Sequence, residues 1–276
     1  MFFNIQVFTE ILNKQVQQKS LTEKTLDGYV RCIRKLEKEC KDKEGSSAVV
    51  LEAAVNKICE GNNQRSKYIS AIKKYEREVL NSPQLLLYGE PLMRLRQKQK
   101  YALKGKKLSN TETSYSHKIN ALNDKRLKLG LRLQKQSGLR ISEISDLTKS
   151  DIIFYQKDKA ISLKVRKGKG RKARDVHVLQ DDYLFEHLRS FVTPLGEKEK
   201  LFYTPDMMIK EAGKNNIKTH DLRRINARQR FRKERDEGAG RREARSAVSK
   251  ELGHSKPQIT NVYLGDEWEE EEQENE

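Results

Sequence analysis

The sequence predicts an α+β protein: an N-terminal all-helical bundle, then a mostly helical domain with a small three-stranded antiparallel sheet. Three observations predict it. Apolar residues in the first ninety positions recur at helical spacing. Strand-like alternation enters between residues 152 and 179. Helical spacing returns from Asp181 onward, broken at Pro194, Gly213, Gly238-Ala239-Gly240 and Gly253. With 276 residues the chain is long enough for one large or two modest domains. Hydrophobic and charged residues are each 35%. The first is below the roughly 45–50% of an average globular chain and the second above its roughly 25%, so a core forms beneath a strongly charged surface.

Along the chain, Ser20-Leu21-Thr22-Glu23 reads as a capping box. It opens a helix with Leu26, Tyr29, Val30, Ile33 and Leu36 on one stripe. Gly45-Ser46-Ser47 breaks that pattern. Val49 to Cys59 predicts a second helix, stopped near Gly61-Asn62-Asn63. Tyr68, Ile72, Tyr75 and Val79 form a third stripe that ends before Ser82-Pro83, and these aromatics read as core. Arg94 to Lys107 then carries seven bases and no acid. Lying between two domains, it reads as a linker along a phosphate backbone, with Arg94, Arg96, Lys98, Lys100, Lys104, Lys106 and Lys107 as its contacts. Ser109 to Gln136 is mostly helical, Gly138 punctuates it, and Ile141, Ile144 and Leu147 continue helically. The strands are Ile152 to Tyr155, Ala160 to Arg166 and Asp175 to Leu179, the last two joined by the turn Lys167 to Lys172. The division expected is 1–93 for the bundle, 94–109 for the linker, 110–265 for the second domain and 266–276 for an acidic tail.

Charge narrows the function. Lys and Arg number 57 against 40 Asp and Glu, a net +17, yet the last eleven residues, DEWEEEEQENE, carry eight acids. The rest of the chain is therefore +25, which points to a polyanionic partner such as nucleic acid. The tail reads either as a solubilising end or as a competitor for the basic surface. No run approaches the roughly 20 apolar residues that span a bilayer. The N-terminus MFFNIQVFTEILNK lacks a basic leader and a long apolar run. Cys32, Cys40 and Cys59 are odd in number and lack zinc spacing, so a disulfide framework or metal site is not expected and a reducing cytoplasm is.

Five pieces carry chemistry. Within Ser137-Gly138-Leu139-Arg140-Ile141-Ser142-Glu143-Ile144, Arg140 and Glu143 stand one helical turn apart and can pair. Lys169 sits at the tip of a glycine-flanked turn. His220-Asp221-Leu222-Arg223 puts a histidine and an arginine on one turn. Leu252-Gly253-His254-Ser255 ends a helix at glycine, and Tyr263 follows nine residues after His254. Each alone has a plain explanation, such as a surface ion pair, one lysine of many, a structural histidine or a core tyrosine.

In order, they resemble the tyrosine recombinase (phage integrase) family. SGLRISEI is similar to its first arginine box, GKGRKARDVHV to its β-hairpin lysine segment, THDLRR to its His-x-x-Arg box and LGHSKPQITNVY to its nucleophile box. The resemblance covers about residues 110–265; the bundle and linker match only in length and character. It implies that Tyr263 attacks the scissile phosphate and forms a 3′-phosphotyrosyl link. Arg140 and Arg223 would hold the non-bridging oxygens, and Lys169 would protonate the 5′-oxygen. His220 would assist proton transfer, and His254 would bond the phosphate or the tyrosine. Glu143 would orient Arg140 or a neighbouring histidine, and Arg171 and Lys172 would touch DNA. It implies no metal and no cofactor, a partner of double-stranded DNA with a short core site, a homotetramer on two duplexes and a nucleoid-associated cytoplasmic location. It leaves open an accessory protein that sets direction, and a third reading of the acidic tail, as a C-terminal segment passed to a neighbouring protomer with Trp268 as its anchor. With no room for an arm-binding domain, the simple Xer-like type is expected. Two departures stand out. RQRFRKERDEGAGRREAR, between Arg223 and His254, is longer than compact members need and reads as an extra DNA contact or a solvated helix extension. His177 stands where many relatives have proline. The alternatives are a type IB topoisomerase-like enzyme, which uses a similar residue set on one duplex, and a non-catalytic DNA-binding relative.

Overall fold

In the computed structural model, residues 3–41, 47–59, 61–81, 108–166, 173–254, 257–265 and 267 are described. Two compact units divide the chain, Met1–Leu103 and Lys104–Glu276.

The first unit packs α1 (Ile5–Gln17), α2 (Glu23–Cys40), α3 (Ser47–Ile58) and α4 (Asn62–Val79). The expected stripes form its core: Val30, Ile33 and Leu36 from α2 meet Leu51 and Val55 from α3 and Tyr68, Ile72 and Tyr75 from α4. The N-terminal stretch, unassigned in the sequence reading, is helical because Phe8 and Leu12, four residues apart, face this core and are fully buried. Tyr75 fastens it. Its ring meets Phe3 and Phe8 edge-on at centroid distances of 4.9 and 5.3 Å, and its hydroxyl accepts the Asn4 N–H at 2.7 Å. One local expectation is corrected. Ser20 does not cap α2, because its hydroxyl donates to Gln15 O at 3.0 Å in the turn leaving α1. Thr22 is the cap and accepts from Thr25 N at 3.3 Å.

The second unit holds α5 (Glu112–Asn120), α6 (Lys125–Ser137), α7 (Ile141–Asp146), the sheet, α8 (Asp182–Val192), α9 (Pro205–Lys214), α10 (Thr219–Asp236), α11 (Arg241–Glu251) and α12 (Gln258–Leu264). Strands β1 (Ile152–Tyr155), β2 (Ala160–Val165) and β3 (Arg174–His177) pair antiparallel in that order. Ile152 stands opposite Leu163, and Leu163 opposite Val176. The predicted alternation is thus the buried face of the sheet, which joins Leu131, Leu133, Leu184 and Leu188 in one core.

The polar stretch after Arg223 is more than a solvated extension. Ala227 and Phe231 on α10 are buried against Ala244, Val248, Leu252 and Leu264, so this helix seats both α11 and α12. Among the described residues, no helix is long and apolar enough to cross a membrane.

Candidate active site

The site begins at the end of α6. Gly138 closes that helix in the left-handed conformation, with φ +69°, which glycine adopts without a Cβ penalty. The chain reverses there, Leu139 drops into the core, and Arg140 becomes the residue that caps α7. Glu143, three residues on, accepts the Arg140 backbone N–H at 2.8 Å and its Nη1 at 3.1 Å, as the spacing predicted.

Glu143 has a second partner that the sequence reading missed. Arg174, the first residue of β3, donates Nη1 to Glu143 Oε1 and Nη2 to Oε2, both at 3.1 Å. Burial alone would raise the Glu143 carboxyl. The hydrogen bonds from Arg174 and from the Arg140 N–H, with the charges of both arginines, outweigh it and hold Glu143 below its ordinary value.

Helix α10 supplies the next pair. His220 lies in its first turn on the surface, and Arg223 one turn further is fully buried. Arg223 Nη1 donates to Gly138 O, and Nη2 donates to Leu252 O at 2.6 Å and lies 3.2 Å from His254 Nε2. Desolvation and then the nearby charge of Arg140 push its pKa down to about 10, so it stays charged at neutral pH. His254 follows Gly253, which ends α11 with φ +66°. Its Nδ1 sits 2.9 Å from Thr260 Oγ1 on α12, which fixes the ring. Tyr263, half-buried on the same helix, completes the group. Its ring centroid is 4.8 Å from that of His254, 5.4 Å from that of His220 and 5.5 Å from the Arg223 guanidinium carbon.

His220, Arg223, His254 and Tyr263 therefore come together, and Arg140, paired with Glu143, is close enough for its charge to act on Arg223. Two permanently charged forks beside a phenol and two imidazoles suit a phosphodiester: charge stabilisation, a nucleophile and proton carriers stand in one place. Lys169, Arg171 and Lys172 lie outside the described residues, as do Arg94, Arg96, Lys98, Lys100, Lys104, Lys106 and Lys107. Among the described residues no His, Cys, Asp or Glu cluster could hold a metal ion.

Asp221, between His220 and Arg223, is another residue the sequence did not flag. It is 2% exposed. It accepts from Ser109 N at 3.1 Å, Ser109 Oγ at 2.6 Å and Tyr115 OH at 2.8 Å, and pairs with Arg224. The cluster ties the start of the described second unit to the helix that carries Arg223. Burial would raise this carboxyl, but the bonds from Ser109 and Tyr115 hold it below its ordinary 3.8. Its contribution to stability is therefore fully present above that value and lost as pH falls through the lower folded-state value. Asp221→Asn is expected to cost about 2–3 kcal/mol at neutral pH. Urea denaturation at pH 7 and pH 3 checks this, and the gap to wild type should narrow at the acid end.

No family model matches the sequence, and no curated protein matches it. Solved structures do. A lambda integrase (75–356) dimer bound to a COC′ core site matches with 14% identity over 94% of each chain and a TM-score of 0.65. A lambda integrase tetramer bound to a Holliday junction matches with 14% identity, over 94% of this chain and 75% of that one, at a TM-score of 0.64. XerH site-specific recombinase on a palindromic difH substrate matches with 16% identity, over 86% of this chain and 75% of that one, at a TM-score of 0.54. At these identities the likeness is one of architecture, and it follows the site described above: the chain has the fold of the tyrosine recombinases.

Proposed function

We propose that this protein is a site-specific DNA recombinase that cuts and rejoins strands through a 3′-phosphotyrosyl intermediate at Tyr263. The observation that carries the reading is the gathering of Arg223, His220 and His254 around that phenol, with the charge of Arg140 close enough to act on Arg223. The Tyr263 oxygen attacks the scissile phosphorus as the bond to the 5′-oxygen breaks. The phenolic proton passes to an imidazole, and Lys169 returns a proton to the leaving 5′-oxygen. Arg140 and Arg223 take the non-bridging oxygens, whose charge grows in the transition state. The energy of the broken bond is kept in the phosphotyrosyl link, so rejoining needs no nucleotide. The basic segment Arg94 to Lys107 and Arg171-Lys172 contact the DNA backbone, and a homotetramer on two duplexes exchanges the strands. Integration, excision and resolution all use this chemistry.

The test is to trap the covalent species. Protein is mixed with sheared DNA of its own genome, and with nicked duplexes from the DNA flanking its gene, then run on denaturing gels. Wild type should give a protein–DNA adduct whose sequenced end marks the cleavage site. Tyr263→Phe should lower adduct yield by more than about 10³-fold. An adduct that survives in Tyr263→Phe means a different nucleophile, and no wild-type adduct from any DNA overturns the recombinase reading.

A further inference from the structure

One carboxylate here faces two arginines. Glu143 is buried, and it takes one guanidinium nitrogen from Arg140 but two from Arg174, in the two-pronged arrangement that makes the stronger pair. Arg174 does more than neutralise it. Its Nε donates to Glu251 O at 3.3 Å, at the end of α11. Its guanidinium lies against Gly253, so close that a Cβ there would sit 3.0 to 3.1 Å from three of its atoms. Arg174 also opens β3, opposite Val165 and directly after the segment that contains Lys169. A single residue at the start of the strand leaving the lysine segment thus touches the partner of Arg140 and the turn that carries His254.

We propose that Arg174 is a positioning residue that occupies Glu143, leaving the other guanidinium nitrogens of Arg140 to grip the scissile phosphate, and that joins Glu143 to the Gly253-His254 turn. The inference rests on the recombinase reading. Without Arg174, the buried Glu143 carboxylate has Arg140 as its remaining guanidinium partner. It then draws Arg140 into a two-pronged pair and cancels the charge meant for the phosphate. Glu143 is an asset to the site only while a second cation holds it.

The experiment uses nicked duplexes carrying the site read from the wild-type adduct. Arg174→Gln should slow single-turnover adduct formation by about 10–100-fold. Affinity for the same duplex, measured with Tyr263→Phe added to both proteins, should change by less than about threefold. Two rescues identify the route. Glu143→Gln combined with Arg174→Gln removes the charge that captures Arg140, and should recover most of the rate. A duplex with a methylphosphonate at the scissile position carries no charge for Arg140 to stabilise, so the Arg174→Gln defect should shrink on it. A merely structural role predicts no rescue by a change of substrate. Thermal unfolding of each variant establishes that it is folded at the assay temperature. If Arg174→Gln is not, Arg174→Lys replaces it, with a smaller defect and the same rescue by methylphosphonate. A folded Arg174 variant that cleaves like wild type, or a defect that neither rescue reduces, overturns the inference and leaves the recombinase reading intact. A wild type that forms no adduct overturns both.

Discussion

Arg223→Ala is expected to weaken the second unit by about 2–6 kcal/mol and to abolish cleavage. The stability loss follows from what the guanidinium satisfies. Gly138 O and Leu252 O both take their N–H from it in the interior, and each buried carbonyl left without a donor costs about 1–3 kcal/mol. The catalytic loss follows from the same geometry. The fork that joins the ends of α6 and α11 also lies beside Tyr263 and beside His254. Arg223→Lys separates the two effects. It keeps the charge, but a single ammonium cannot span both carbonyls and still face a phosphate. Lys should therefore fold better than Ala yet still cleave on the order of 10²–10³-fold more slowly than Arg. Urea denaturation and single-turnover adduct formation measure the two terms. Cleavage at the wild-type rate by Arg223→Lys would remove Arg223 from the machinery.

Much of this architecture was legible in the sequence because it is carried by local pattern. The stripes of α2, α3 and α4 and the alternation of β2 are burial patterns of one element each, and they predict the element directly. The order of Arg140, His220, Arg223, His254 and Tyr263 was legible for a different reason: each belongs to a short motif of distinctive composition. What stayed hidden depends on partners far along the chain. Arg174 is one of 57 basic residues until its contact with Glu143, 31 positions away, is seen. Asp221 looks like an acid in a helical first turn, and only Ser109 and Tyr115, more than a hundred positions away, make it a fastening point. Helix α10 misled most. Half of its buried residues are polar, Asp221, Arg223, Asn226 and Arg228 beside Leu222, Ile225, Ala227 and Phe231. Apolar periodicity is the usual sign of burial, so a helix that buries arginines and an asparagine reads as solvated. That failure lies at the candidate site, where a polar interior is what phosphate chemistry requires.

Gly138→Ala tests how closely the fold at that point is tied to the chemistry. The residue holds φ +69°, and any Cβ there pays roughly 1–2 kcal/mol for the left-handed conformation. The added methyl also has nowhere to go. It would run into Asn226 Oδ1 and lie 2.8 Å from Leu252 Cδ2. Asn226 cannot step aside without a loss, because its Nδ2 donates to Gln136 O at 2.9 Å and its Oδ1 accepts from Arg230 Nε at 3.0 Å. Overpacking of this kind adds about 1–3 kcal/mol. The melting temperature should therefore fall by about 4–20 °C, at about 2–4 °C per kcal/mol for a unit of this size. Gly238→Ala is the control. It too has a positive φ, +91°, but a Cβ there meets nothing within 4 Å, so it should show the conformational cost alone. Equal shifts in the two variants would mean that Asn226 and Leu252 yield and the packing argument fails. A larger shift at Gly138, with a cleavage defect that persists well below the melting temperature, is the expected result. The Gly138 carbonyl is one of the two groups that aim Arg223, so displacing it misdirects the arginine even where the helices still hold.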